Sequence, residues 1–403
     1  MKKIRLSICL LLLMLLVACG NSSVADQSDV DKVGTDVENR QNFVQSPMQD
    51  PETEMNAIAD LYADIYETAA SQKTFSSVET KEKIVARLGE NGYPVVDNDN
   101  DVNMVNAEAV ETFCEQVDAR QQADLVLLTV LNNGGFYRYD FLTTDGAVDV
   151  KTYGLQWTDG QRQVETYQEY TAYTWQYTQK GYLLFEQYHP PGYDGPSGHK
   201  AIRVKSLDET CRKYNEIYIK PIGYNYNNMF ITDWSEQDFE QLDFYDMFEA
   251  MYVFQYGHPF SVEKDISGHT YEVEKDEFEK VLQSYFKIDS QTLQKNVVYY
   301  PDQGKYRYRT RGLGDYCWPN YPNPEVVAET ENGDGTITLI VDAIWSWENN
   351  DHAFTHEVVV RPLEDGSFQY VSNRVLSWSD GVQPEWYQNR LTDDEWDEYY
   401  KDM

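Results

Sequence analysis

The chain has 403 residues, 41% hydrophobic and 14% aromatic, enough apolar material for two packed domains. Its formal net charge is −35, which repels phosphate backbones and anionic head groups and excludes a nucleic-acid role. The five cysteines show no CxxC spacing, so neither a disulfide framework nor a cysteine zinc site holds the body together.

The first twenty residues, MKKIRLSICLLLLMLLVACG, carry a basic head (Lys2, Lys3, Arg5) and an apolar run from Leu6 to Val17. That run is shorter than the ~20 residues a bilayer core requires, so it reads as a signal peptide over residues 1–18. The sequence Leu16-Val17-Ala18-Cys19 resembles the lipobox of bacterial lipoproteins. The resemblance implies that the Cys19 thiol receives a diacylglyceryl group and becomes the first mature residue. The body would then sit on the outer face of the cell membrane, with covalent lipid as its membrane contact. Residues 19–49, rich in Asp, Ser, Gln and Asn without a sustained period, read as a flexible tether.

Asp50-Pro51 starts a helix in which Met55, Ile58, Tyr62, Ile65, Tyr66 and Ala69 share one face. A second helix spans Val78 to Leu88, with Ser76 and Glu79 as its capping box. A third spans Ala107 to Arg120, with Cys114 on its apolar stripe. The period then changes to that of strands. Ala123 to Leu131 is apolar throughout, as in a strand buried on both faces. Strands at Phe136–Thr143, Ala147–Thr158, Gln161–Gln179 and Tyr182–Tyr188 follow, joined by short Gly-containing turns, as in an antiparallel meander. A Pro- and Gly-rich loop, His189 to Gly198, leads to a strand near Ala201 and a short helix at Glu209–Glu216.

Ser235 is expected to cap a helix holding Phe239, Leu242, Phe248 and Met251, ended by Gly257 and Pro259. The domain boundary is placed there, giving domains 50–257 and 258–403. The second opens with a helix from Asp276, then strands at Asn296–Tyr300 and Lys305–Thr310. A second meander follows: Glu325–Glu331, Thr336–Trp347, His352–Leu363 and Phe368–Leu376. Thr392 and Glu395 cap a last helix. The expected fold class is α+β: two domains, each with helices packed on an antiparallel meander sheet. The segments GYPVVDNDNDVNMVN, YHPPGYDGPSG, NNMFITDWSEQDF and THEVVVRPLEDGSFQYVSNRV resemble a group of lipoproteins from clostridial gut bacteria, classed as a domain of unknown function. That resemblance supports a surface location and implies no reaction.

Five constellations are candidates for chemistry. Asp97, Asp99 and Asp101 with Glu108 have the spacing of a calcium loop, but Val102 stands where the sharp turn needs Gly. No other cofactor is indicated. His352 and His356 are four apart on a strand, about 13 Å, too far to share one ion. His189, Asp194, Ser197 and His199 share one loop and supply residue types for nucleophilic catalysis, without a GxSxG elbow. Tyr173, Trp175 and Tyr177 alternate and share a strand face, which is either core or an exposed platform for sugars or a protein partner. Lys305, Arg307, Arg309 and Arg311 form a cationic face: either a charge-protected edge paired with Glu274, Glu277 and Glu279, or a seat for an anionic wall polymer.

The favoured reading is a non-enzymatic binding or interaction module on the cell surface, with a cell-wall glycan or a protein as partner. The alternative is a cell-envelope hydrolase acting on glycan or peptide. A pocket joining Ser197 to a perturbed His would favour the hydrolase, and an exposed aromatic face would favour binding. Whether any two of Cys114, Cys211 and Cys317 form a disulfide stays open at this level.

Overall fold

The computed structural model describes residues 50–158, 160–193, 195, 197–262 and 268–401, all within one compact unit. The signal peptide, Cys19, the tether and Asp194 lie outside the described residues.

Helices α1 (Pro51–Asp60), α2 (Ala63–Gln72) and α3 (Val78–Glu90) come first. The single first helix expected from the period is two, because the chain turns at Leu61-Tyr62. Asp50 caps α1 through Thr53 N–H, as its place before Pro51 suggests. Ser77, not Ser76, caps α3, accepting from Thr80 N–H. Strand β1 (Val95–Asp97) and α4 (Ala107–Asp118) lead into β2 (Ala123–Val130), β3 (Phe136–Thr144), β4 (Ala147–Thr158) and β5 (Gln161–Thr171). The sheet order is β1-β2-β3-β4-β5. β2 to β5 form an antiparallel meander as expected, but the expected strand Gln161–Gln179 breaks after Thr171, and its second part joins Tyr182–Glu186 in another sheet; β1 adds a parallel edge, with Val95 opposite Leu128.

Alternation along β2 explains its continuous apolar run. Val126, Leu128 and Val130 face Met55, Ile58, Tyr62, Ile84 and Leu88 of the first helices. Leu125 and Leu127 face Phe113, Cys114 and Val117 of α4. On this second side lies a three-stranded sheet, β6 (Thr174–Tyr177), β7 (Tyr182–Glu186) and β8 (His199–Arg203), in that order. Its two faces part company. Leu183, Phe185 and Ile202 enter the N-terminal core, while Tyr182, Leu184 and Ala201 pack on Ile344 of the C-terminal half. The small sheet is thus the layer between two lobes.

After α5 (Glu209–Tyr214), which runs into a π-helical turn at Asn215–Ile219, the chain belongs to the second lobe. β9 (Trp234–Ser235) and α6 (Phe244–Tyr256) come next, so Ser235 lies in a strand and Asp243 is the cap of the helix, accepting from Tyr245 and Asp246 N–H. Then follow β10 (Tyr271–Glu274), α7 (Lys275–Tyr285), α8 (Ser290–Asn296), β11 (Tyr299–Tyr300) and β12 (Lys305–Tyr308). The meander β13 (Asn323–Glu331), β14 (Ile337–Ile344), β15 (Phe354–Pro362) and β16 (Phe368–Trp378) is followed by α9 (Asp393–Tyr400). Thr392 and Glu395 form the expected capping box. The larger sheet has the order β13-β14-β15-β16-β9, and the smaller β10-β12-β11.

The α+β class and the packing of helices on antiparallel sheets are as expected. The hydrophobic core runs across the boundary expected at residue 257. One core unites Tyr218, Phe230, Met247 and Phe248 with Phe278, Leu282, Val341, Phe354 and Tyr370. β9 also pairs with β16, Trp234 opposite Asn373. A cut at 257 would expose both halves of that core.

Candidate functional site

Where the lobes meet, a cavity of about 340 Å³ opens between the Asp97–Asp101 turn, β8, α5 and the start of β13. This is within the size range of small-ligand sites, about 300–1,000 Å³. Its walls mix charged side chains, among them Asp97, Asp101, Lys200, Arg212 and Glu325, with apolar ones such as Ile202 and Ile344.

The acidic turn forms one wall, and its carboxylates are already occupied. Lys81, on the buried face of α3, places Nζ 3.3 Å from Asp97 Oδ2, 3.2 Å from Asp99 Oδ2 and 2.6 Å from Asp101 Oδ2. Lys220 pairs with Asp101 from the other side and reaches Glu216 at 3.0 Å. Asp97 Oδ1 accepts from Val102 N–H at 2.9 Å, so Val102 closes the turn and is itself buried. Burial pulls the Lys81 ammonium down, but the hydrogen bond to Asp101 and the neighbouring charges outweigh it and hold the pKa above the usual value. Glu108 is exposed in the first turn of α4 and is not among the gathered carboxylates. Of the expected calcium constellation, Asp97, Asp99 and Asp101 bring carboxylate oxygens within 4.8 Å of one another, with Lys81 and Lys220 paired to them, while Glu108 lies apart.

The floor is a polar seam between lobes. Glu325 of β13 accepts from Tyr182 Oη at 2.7 Å and from Arg203 at 2.9 Å. Arg212 of α5 donates to Asn103 Oδ1 at 2.7 Å and to the Asn100 carbonyl at 2.6 Å. Burial of the whole array raises the Glu325 pKa against the pull of Arg203.

The mouth carries His199. Its Nε2 lies 3.3 Å from Glu186 Oε1 and its Nδ1 3.1 Å from Ser197 Oγ. Burial lowers its pKa, with Glu186 pulling the other way. Ser197 Oγ also accepts the His199 backbone N–H at 3.1 Å, which closes a short local turn. Asn349 of the second lobe donates to Glu186 at 3.2 Å. Aromatic rings surround this array. Trp347 stacks over His199 at 6.1 Å and is 45% exposed. Tyr173 and Tyr188 lie 5.2 Å apart, 64% and 57% exposed. His189 stacks on exposed Tyr193 at 4.0 Å.

The structure thus splits the expected aromatic trio. Trp175 enters the core against Phe113, Phe141 and Phe185, Tyr177 donates to Glu111 at 2.9 Å, and Tyr173 alone is open to solvent. Tyr173 directly precedes β6, where strand alternation no longer governs its direction. Its partner Tyr188 and the Trp347 ring carried no periodic signal and were missed.

The three arginines of the expected anionic seat are each ion-paired. Arg307 and Arg309 both bind Asp393, at 2.8 and 2.9 Å. Arg311 binds the fully buried Asp246 at 2.7 Å, beside Arg390 at 2.7 Å. Lys305 pairs with Glu272 and Glu274, so of the expected acidic partners only Glu274 takes part. His352 and His356 share no site: His356 is buried between Tyr224 (2.9 Å) and Asn373 (2.7 Å), and His352 binds Asp351. Cys114, Cys211 and Cys317 are buried and free.

Fold and site together define a two-lobed α+β protein with a polar inter-lobe cavity, one of whose lining residues, His199, stacks with the exposed ring of Trp347. The chain belongs to the Family of unknown function (DUF6070), whose model matches residues 48–390. No curated protein and no solved structure matches it.

Proposed function

We propose that this protein is a lipid-anchored, non-enzymatic binding module of the bacterial cell surface, and that it holds glycan at the cavity mouth. The observation that carries the binding site is the group of exposed rings, Tyr173, Tyr188 and Trp347, around the polar pair His199–Glu186. Flat amphipathic rings left in solvent stack on the apolar faces of sugars, while imidazole, carboxylate and amide groups between them bond hydroxyls. Support for the anchor is the sequence Leu16-Val17-Ala18-Cys19 behind its basic head. Among the described residues no helix is long and apolar enough to cross a membrane.

Affinity electrophoresis tests the binding. Gels cast with xylan, mannan, mixed-linkage glucan or polygalacturonate should retard the protein in at least one case, and Tyr173→Ala with Trp347→Ala should abolish the retardation. Free migration in all four gels would sink the reading.

The hydrolase reading has one observation in its favour, the order Ser197, His199, Glu186. Ser197 Oγ is, however, tied to the His199 amide as a turn acceptor. A fluorophosphonate probe separates the two: a stable adduct on Ser197 would reverse the preference for binding.

A further inference from the structure

Behind the mouth, several cavity-wall groups lack protein partners. Thr129 on β2 is 2% exposed; its Oγ1 lies beside the Tyr139 hydroxyl and makes no well-formed hydrogen bond. Arg212 Nη2 and Asn215 Oδ1 are likewise buried without partners, although the other guanidinium nitrogens of Arg212 are used. Lys200, on edge strand β8, pairs with no carboxylate among the described residues and instead faces the Tyr137 ring at 5.9 Å. All four side chains line the same cavity.

Buried polar groups ordinarily find partners, and each one left unmade is costly. The acidic residues of this cavity have theirs: the aspartates are met by Lys81 and Lys220, and Glu325 by Arg203 and Tyr182. The surplus capacity is therefore two cationic donors, one hydroxyl and one amide carbonyl. A complementary ligand carries one carboxylate for the cations and hydroxyl groups for Thr129 and Asn215. Burial also lowers the Lys200 pKa, a cost that a carboxylate beside it would offset.

We infer that the cavity receives a single acidic sugar unit, a hydroxylated six-membered ring bearing a carboxylate, contributed by a glycan whose neighbouring units stack on the mouth. This rests on the glycan-binding reading above and names the ligand class for it. His199, lining the cavity and stacked under Trp347, stands where the two parts meet.

The experiment is titration of the purified full-length chain with D-galacturonate and, as its neutral counterpart, D-galactose. Galacturonate should bind at least about tenfold more tightly, the scale of one charge-assisted hydrogen bond. Lys200→Gln should erase that preference. Thr129→Val, which keeps shape and removes only the unpartnered hydroxyl, should weaken galacturonate by about fivefold without lowering the melting temperature. Equal binding of the two sugars, no galacturonate binding, or galacturonate binding unchanged in both variants would each overturn the inference. Its failure is separable from failure of the mouth: neutral polysaccharide retardation lost in Tyr173→Ala would stand with or without an acid preference.

Discussion

The ammonium of Lys81 lies 2.6 Å from Asp101 Oδ2 and within 3.3 Å of Asp97 and Asp99, so a loop with the carboxylate spacing of a calcium site is closed by a lysine. Lys81 comes from a helix 16 residues earlier than Asp97, and its side chain is only 3% exposed. Breaking a buried ion pair by removing one partner leaves the other charge uncompensated, at a cost of about 3–5 kcal/mol. Lys81→Met should lower stability by that amount in urea unfolding. Millimolar calcium should restore part of it in the variant and leave the wild-type melting temperature unchanged. A calcium-dependent rise in the wild type would contradict the lysine's role.

The three arginines should separate in the same assay. Asp393, shared by Arg307 and Arg309, is 58% exposed, so their joint replacement with Gln should cost about 1 kcal/mol or less. Asp246 has no exposure and also accepts from Tyr387 and Arg390. Arg311→Gln should therefore cost about 3–5 kcal/mol. Retention on purified cell wall should not change in the double variant, and a loss there would restore the seat.

Two buried groups give stability opposing pH slopes. Burial pushes His356 down to about 3, against its ordinary 6.5. Between those values the unfolded chain binds a proton that the folded one refuses, so stability falls as pH falls, by up to ~1.4 kcal/mol per unit. Burial, aided by the Asp246 charge, raises Asp243 to about 6 from 3.8. There the folded state holds the extra proton, so stability from this group is lost as pH rises through that window. The two should largely cancel between about pH 4 and 6. Asp243→Asn keeps a capping side chain for α6 and removes the second term. Its melting temperature should drop more steeply than that of the wild type on going from pH 6.5 to 4, and parallel curves would refute the pairing.

Trp175 and Tyr173, two residues apart, should behave oppositely. Trp175→Ala removes a ring packed on three core aromatics and should cost about 2–4 kcal/mol. Tyr173→Ala should stay within about 0.5 kcal/mol of wild type while losing polysaccharide retardation. Equal destabilisation by both would place Tyr173 in the core as well.

The proposed lipid anchor makes a fractionation prediction. Acyl chains hold a protein at about 0.8 kcal/mol per buried methylene, and the strongly acidic body adds no attraction to anionic head groups. Cys19→Ser should move the protein from the membrane pellet to the soluble fraction. A variant that remains wholly in the pellet would dismiss the anchor.

The sequence by itself determined the local elements of this protein. Alternation, Gly turns and capping residues are properties of neighbouring positions, and β2 to β5, β13 to β16 and the Thr392–Glu395 box follow from them. Tertiary structure alone decided which charges are spent. Whether Asp101 awaits calcium or holds Lys81, and whether Arg311 awaits a ligand or holds Asp246, depends on residues 20 and 65 positions away. It also decided that Trp175 is core and Tyr173 is rim, and that Phe248 shares a core with Phe354 across the expected boundary. Burial and ion pairing act between surfaces brought together by folding, and no period or spacing along the chain carries that information.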